Sequence, residues 1–71
     1  MTRLRELRQE RGLTLSDLCR ARKLSVSELS YVERRKHVAS RRLKEALLKF
    51  YHASSDELFD NEGLARHAMK G

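Results

Sequence analysis

Proline is absent from the 71-residue chain, and cysteine and glycine are scarce, with one and three residues. Leucine, arginine, glutamate, lysine and alanine dominate instead, and without the commonest helix breaker these residues favour helix. A single cysteine excludes an internal disulfide. The three glycines stand apart from one another, which excludes a glycine-rich phosphate loop. The composition therefore predicts an all-α fold, without strands, that is held together by helix packing.

Long apolar runs are also missing, since the longest is Ala46-Leu47-Leu48. A membrane-spanning helix needs about 20 apolar residues, and no charged-then-apolar signal sequence precedes the first helix. We therefore expect a cytoplasmic protein without a membrane partner. A chain of this length buries only about 60% of its unfolded surface. It reads as one small domain, for which compact packing or dimerisation is the remaining source of stability.

Clustered metal ligands and nucleophiles are lacking too. The three histidines, at positions 37, 52 and 67, are spaced 15 residues apart, without zinc-ligand spacing. Cys19 falls on an apolar helix face, where a thiol is usually a small core residue. We expect no metal, no cofactor, no small-molecule substrate and no enzymatic activity.

Positive charge is abundant, and it is unevenly placed. Residues 1–49 hold 14 of the 16 Lys and Arg and six of the ten Asp and Glu, a net of +8, whereas residues 50–71 carry a net of −2. A sequence pI near 10.1 in a small domain indicates a polyanionic partner such as nucleic acid. The alternative is a solvated, charge-rich helical surface.

Helix-start signals occur twice within eleven residues, at Thr14 and at Ser25. Each hydroxyl stands three residues before a carboxylate, Asp17 or Glu28, which is the capping-box pattern. A third pattern of this kind begins at Ser54. With the leucine spacing of i, i+3 and i+4, these signals predict five helices: one over residues 2–11 stopped by Gly12, two capped by Thr14 and Ser25, one that starts at Ser40, and a short one after Ser54.

The connection at Lys23-Leu24 is too short for the second and third helices to run antiparallel side by side. Two short helices joined in this way form a helix-turn-helix. The outer face of the second of them can then enter a DNA major groove, which is about 12 Å wide.

The sequence resembles a known family. The segment LRELRQERGLTLSDLCRARKLSVSELSYVERRKHVAS, followed by SSDELF, is similar to the lambda-repressor/Cro-type, or xenobiotic-response-element type, helix-turn-helix family over residues 3–59. The resemblance implies a compact five-helix domain over residues 1–60. It also implies a transcriptional regulator, a repressor for example, that binds double-stranded DNA as a homodimer on a pseudo-palindromic operator.

Five residues depart from the family pattern, among them Arg22 at a usually apolar position and Ala39 in place of a loop proline. Lys23 stands where the turn usually carries glycine, and Arg35 replaces a loop glycine. A left-handed backbone at such a residue costs about 1–2 kcal/mol. Leu15 occupies a position where many members carry a DNA-contacting glutamine, which predicts an unusual operator or a weaker contact.

Candidate base-reading residues lie on the third helix, opposite its core positions Leu29 and Val32. They are Val26, Ser27, Ser30 and Tyr31. The hydroxyls can exchange hydrogen bonds with base edges, and the valine can pack on a thymine methyl group. The alternative is that these small polar residues are merely solvated.

Phosphate contacts are predicted from the cations that flank this helix, because guanidinium groups and helix N-termini both favour phosphate. The candidates are Arg20, Arg22, Lys23, Arg34, Arg35, Lys36, His37 and Arg41, with Arg42 beside them. The resemblance also implies a partly buried ion pair between Arg8 and Glu33. We interpret this pair as structural.

Residues 61–71 form a tail with two alternative predictions. If helical, it places Leu64, Ala65, Ala68 and Met69 on one face; Gly63 and the chain end favour fraying instead. A dimer interface is predicted near Tyr51, Phe59, Leu64 and Met69.

Two other functional hypotheses stay open at this stage. The same fold can serve as a protein-interaction module, such as an antitoxin or an adaptor. The chain can also be the amino-terminal part of a longer repressor.

Overall fold

The computed structural model describes residues 1–68, and helices are their only regular secondary structure besides two isolated bridges. The five helices are α1 (Arg3–Glu10), α2 (Leu15–Arg22), α3 (Val26–Glu33), α4 (Arg41–Tyr51) and α5 (Ser55–Leu58). The prediction of an all-α, five-helix domain is confirmed. None of these helices is long and apolar enough to cross a membrane.

Every helix begins at a serine or threonine whose side chain accepts a hydrogen bond from the first turn. These N-caps are Thr2, Thr14, Ser25, Ser40 and Ser54. Each satisfies a backbone N–H that has no partner within the helix, which stabilises a helix by about 1 kcal/mol. The break between α2 and α3 therefore follows from local sequence, as predicted.

A closed capping box forms only at the start of α2 among the described helices. The Thr14 amide donates to Asp17 Oδ2, and the Asp17 amide donates to Thr14 Oγ1, both at 3.0 Å. The Thr14 amide holds the pKa of Asp17 below its usual value. Ser25 and Ser54 cap their helices at 3.3 Å, but no return bond comes from Glu28 or Glu57, so the predicted boxes there are half formed.

Each of the helices α1 to α4 is followed, within two residues of its last residue, by a residue with a left-handed backbone. These residues are Gly12, Lys23, Arg35 and His52, with φ of 68°, 57°, 61° and 53°. The conformation turns the chain so that following N–H groups reach the last carbonyls. At the end of α2, for example, the Leu24 amide donates to the Cys19 carbonyl at 2.9 Å. Only the first of the four positions is glycine, so the other three carry backbone strain.

The core draws on all five helices. Its fully buried side chains are Leu4, Leu18, Leu29, Val32, Leu43, Leu47 and Leu58. Burying each stabilises the fold by about 1.5–3 kcal/mol relative to exposure. Leu29 and Val32 fix which side of α3 faces inward, as the sequence predicted.

The helical alternative for the tail does not hold over residues 61–68, which turn at residues 61–64 and then run extended. Phe59 pairs with Ala65, and His67 pairs with Thr2. The Arg3 amide donates to the Arg66 carbonyl at 2.9 Å. The tail is thus hydrogen-bonded to the start of the chain as far as residue 68, which also contradicts fraying there.

Asp60 and Gly63 explain why the tail turns back. Asp60 Oδ1 accepts from the Glu62 and Leu64 amides at 2.9 and 3.0 Å, and Gly63 has φ +83°. A Cβ at Gly63 would lie 2.9 Å from Cγ1 of Val38. Burial alone would raise the pKa of Asp60, but these amides, together with the Arg35 guanidinium, hold it below its usual value.

The predicted dimer contacts do not form one open surface. Tyr51 and Phe59 are 6% and 2% exposed, so both side chains pack in the chain's own core and offer little surface to a second copy. Leu64 is half-buried. Met69 lies outside the described residues.

Substituting Lys23→Gly tests the strain at the turn between α2 and α3. Glycine adopts the left-handed conformation without a Cβ clash, so we expect the free energy of unfolding to rise by about 1 kcal/mol. Urea denaturation measures this. Ala21→Gly, at an exposed helical position two residues earlier, is the matched control and should lower stability by about 1 kcal/mol. A loss of stability in both variants would contradict the assignment.

Substituting Tyr51→Phe tests a buried polar atom. The Tyr51 hydroxyl is the one buried side-chain oxygen or nitrogen in residues 1–68 without a hydrogen-bond partner. Because such a group already carries its desolvation cost, we expect the variant to be as stable as the parent at pH 7, or about 1 kcal/mol more stable.

The same substitution has a pH signature. Burial raises the pKa of Tyr51 to about 12, above the value of about 10 for an unfolded tyrosine. The folded state therefore holds this proton more tightly, and stability from it falls as pH rises from about 10 towards 12. The phenylalanine variant lacks that decline. Unfolding at pH 7 and pH 11 should show its advantage growing with pH, and an unchanged difference would contradict the buried position. Tyr31→Phe, at an exposed position, is the control.

Candidate nucleic-acid interface

The predicted base-reading residues come together on one side of α3. Val26, Ser27, Ser30 and Tyr31 line a single cleft of about 230 Å³, and Arg34 and Leu15 complete its wall. We call it the α3 cleft. Val26 and Tyr31 are 44% and 43% exposed. The outward face of α3 is therefore open, and it joins the first residue of α2.

Glu33, the last residue of α3, holds this helix against α1. Its carboxylate is 4% exposed and accepts three hydrogen bonds from Arg8, the shortest at 3.0 Å from Nε. Arg8 also donates to the Leu13 carbonyl at 2.8 Å. Thr2 adds a hydroxyl hydrogen bond to the Glu33 carbonyl at 2.6 Å. The ion pair implied by the resemblance is present. It lies buried between α1 and α3 rather than on the exposed surface.

An aromatic and cationic cluster follows at the C-terminal end of α3. The Arg34 guanidinium lies 5.2 Å from the centre of the Tyr31 ring, and His37 meets the same ring edge-on at 5.1 Å. A guanidinium over an aromatic face is attracted by the ring electrons. The Tyr31 ring and Arg34 are thus held together beside the α3 cleft, and His37 joins them from the loop.

Arg35 is engaged elsewhere in the fold. Its Nη1 atom donates to Asp60 Oδ2 at 3.0 Å and to the Ala65 carbonyl at 2.8 Å. Its left-handed backbone lets the Lys36 amide reach the Tyr31 carbonyl at 2.8 Å and close α3. This side chain therefore joins the loop to the tail, a role that the predicted phosphate contact did not include.

The remaining predicted phosphate contacts are dispersed. Lys36 and His37 are exposed in the loop, and Arg20 is exposed on α2. Arg22 lies over the Phe50 ring at 5.0 Å. Arg41 is 93% exposed and makes an ion pair with Glu45 along α4 at 3.4 Å.

A second cleft lies at the other edge of α3. It is lined by Lys23, Glu28, Ser40 and Arg42, with Leu24, Ser25 and Leu43. Glu28 therefore faces cations of the turn and of α4, away from the α3 cleft. Its negative charge does not line the surface that carries the candidate base readers.

Arg5 was missed by the sequence reasoning. It lines a cleft next to the α3 cleft, together with Ser30 and Arg34, and none of the ion pairs within residues 1–68 involves it. The sequence did contain a feature that could have predicted this position of Arg5. Arg5 stands one helical turn before Arg8, and residues three apart share a helix face. The implied pairing of Arg8 with α3 therefore placed Arg5 beside α3 as well.

This geometry is that of a helix-turn-helix: two eight-residue helices, a three-residue connection with a left-handed first residue, and a second helix whose outer face is open. Residues 2–61, which are 60 of the 71, match the family model described as a helix-turn-helix domain. The chain belongs to this family, in which the second helix of the motif typically lies in the DNA major groove. The comparisons with curated proteins and with solved structures found no match.

Substituting Arg8→Ala tests the anchor of α3. Removing one member of a buried ion pair leaves an uncompensated charge, so we expect a loss of about 3–5 kcal/mol in the free energy of unfolding. Thermal and urea unfolding measure it. Arg41→Ala removes an exposed pair of the same chemistry and should cost less than about 1 kcal/mol. Equal losses in the two variants would show that the Arg8–Glu33 pair is no anchor.

Proposed function

We propose that this chain is a sequence-specific double-stranded DNA-binding regulator of transcription, of the lambda-repressor/Cro type, with α3 in the major groove. One observation carries the proposal. The outward face of α3 is open and has Arg34 as its only charged lining residue, while Arg5 lies in the adjoining cleft. A polyanion with hydrogen-bonding groups in a groove fits such a surface.

Base contacts are assigned to Val26, Ser27, Ser30 and Tyr31, because these residues share the α3 cleft. Serine hydroxyls donate or accept, so each can bond to several base edges. Their contribution to sequence preference is correspondingly modest. The assignment predicts a regulator whose specificity depends on several weak contacts rather than on one bidentate pair.

Phosphate contacts are assigned to the cations around the cleft: Arg5 and Arg34 on one side, Lys36 and His37 in the loop, and Lys23 and Arg42 at the other edge. These groups flank α3 on both sides, as the two DNA strands flank a helix in the groove. Arg35 is left out of this set because it fastens the tail.

Binding as a homodimer to a pseudo-palindrome completes the proposal. One eight-residue helix spans only about 12 Å, enough for one half-site, and two half-sites about 10 bp apart would lie on the same face of DNA. Of the predicted interface, Leu64 is the described residue that is partly open. Sedimentation of the chain at high micromolar concentration should show a dimer, and a monomer would contradict this part.

The second candidate is a protein-interaction module without DNA binding. The observation that favours it is the nature of the α3 face, where two of the four base-reading residues, Val26 and Tyr31, are exposed large hydrophobic side chains. Exposed apolar side chains that cluster are typical of protein interfaces. This function assigns no role to the flanking cations, which is why we place it second.

Titration with random duplex DNA at two salt concentrations separates the two candidates. Each phosphate that the protein neutralises contributes about −0.9 to the slope of log K against log salt. For four to six phosphate contacts, we expect affinity to fall by roughly two orders of magnitude or more between 50 and 200 mM salt. No binding at the lower concentration would favour the protein-interaction module.

Single substitutions then distinguish phosphate contacts from base contacts. Lys36→Ala should weaken all duplexes alike and flatten the salt slope by about one contact, whereas Ser30→Ala should relax preference at one base step in duplexes selected from a random pool. Lys49→Ala, at an exposed position of α4 outside the proposed contacts, serves as a charge-matched control for Lys36→Ala. A Ser30→Ala variant that selects the same duplexes with the same preference would remove Ser30 from the base-reading set.

A further inference from the structure

We infer that Leu15 and Val26 form an apolar notch that receives the C5-methyl group of a pyrimidine in the DNA major groove, so that this protein recognises thymine through its methyl group. The inference rests on the proposed function and deepens it. It adds Leu15, a residue of α2, to the surface that reads DNA.

The two residues occupy equivalent places in the motif. Leu15 is the first residue of α2, and Val26 is the first residue of α3. Both line the α3 cleft. The connection between the helices therefore brings two branched aliphatic side chains, eleven positions apart in sequence, to the wall of the same cleft.

The notch is held in place by the fold. Leu15 is half-buried and packs against the hydrophobic core. Val26 is 44% exposed, and a β-branched valine in a helix keeps one preferred χ1 rotamer. Neither side chain needs to be ordered on binding, so the entropy cost of placing a small apolar group between them is low.

The chemistry of the notch selects its occupant. Two aliphatic side chains offer no hydrogen bond, so a polar base edge placed there would lose its water without replacement. Among the four bases, only thymine presents an apolar group in the major groove. The neighbouring Ser27 and Ser30 accept either donors or acceptors, which leaves the methyl contact as the most discriminating one in the cleft.

The cations beside the notch favour DNA over an apolar peptide as its occupant. Arg34 is the only charged residue that lines the α3 cleft, and the adjoining cleft adds Arg5, while the Glu33 carboxylate there is neutralised by Arg8. A methyl group that is flanked by phosphates on both sides matches an apolar notch that is flanked by cations. A wholly apolar partner would leave these cations desolvated.

The test removes the methyl group without changing base pairing. Duplexes are selected from a random pool with the intact chain, and each thymine of the best duplex is replaced in turn by deoxyuridine. We expect one or two positions per half-site at which affinity falls about four-fold, the value of about 0.8 kcal/mol for one buried methyl group. Replacing that position by 5-methylcytosine, paired with guanine, should bind better than unmethylated cytosine there.

Variants assign the effect to the notch. In Val26→Ala and in Leu15→Gln, the ratio of thymine to deoxyuridine affinity at those positions should fall to about one. Ser27→Ala, in the same cleft, is the matched control and should keep the ratio. If Leu15→Gln fails to fold by circular dichroism, Leu15→Ala replaces it, so that both residues of the notch are tested.

The outcomes are distinguishable. A selected duplex that binds equally well with deoxyuridine at every position would overturn the notch and leave DNA binding standing. A four-fold loss that persists in Val26→Ala would also overturn it, because the methyl group then contacts another residue. If no duplex is selected at all, the proposed function fails together with the inference.

Discussion

The buried ion pair between Arg8 and Glu33 is the interaction on which the rest of this structure depends. Glu33 is 4% exposed, and a carboxylate in that position destabilises the fold unless a cation and hydrogen bonds compensate for its lost hydration. Arg8 supplies three bonds from α1. Because Glu33 ends α3, the pair fixes how that helix is rotated about its own axis. With Leu29 and Val32 also buried, the opposite face has to point to solvent.

A second constraint comes from the left-handed residues after the helices. Three of them are not glycine, and each of these carries backbone strain that a glycine would not have. At Arg35 the reason is visible. A glycine would relieve about 1–2 kcal/mol of backbone strain, but it would lose the hydrogen bonds to Asp60 and to the Ala65 carbonyl. Those bonds join the loop after α3 to a tail that also pairs with the chain start. Arg35, at a position where the resembled family carries glycine, therefore tethers the loop to the tail.

Charged and uncharged side chains occupy different parts of the α3 surface. The cations stand around the helix rather than on its open face, which carries hydroxyl and aliphatic groups. In the proposed complex, the cations would attract any duplex, whereas the central groups would respond to sequence. With Leu15 in place of a polar residue, the centre of the cleft gains apolar surface and loses a hydrogen-bonding group. That exchange is the physical basis for expecting recognition through methyl groups rather than through amide contacts.

Local sequence was enough to predict the helices, because the caps at Thr14 and Ser25 and the leucine periodicity act within a few residues. It also determined the inward face of α3 and, through the family resemblance, the Arg8–Glu33 pair. The conformation of the tail could not be predicted in this way. It depends on tertiary contacts, because Asp60 turns the backbone and Gly63 packs on Val38. The tertiary structure also decided that the Tyr51 side chain is buried and that Arg35 bonds to the tail. These outcomes depend on contacts between residues distant in sequence, which local pattern does not encode.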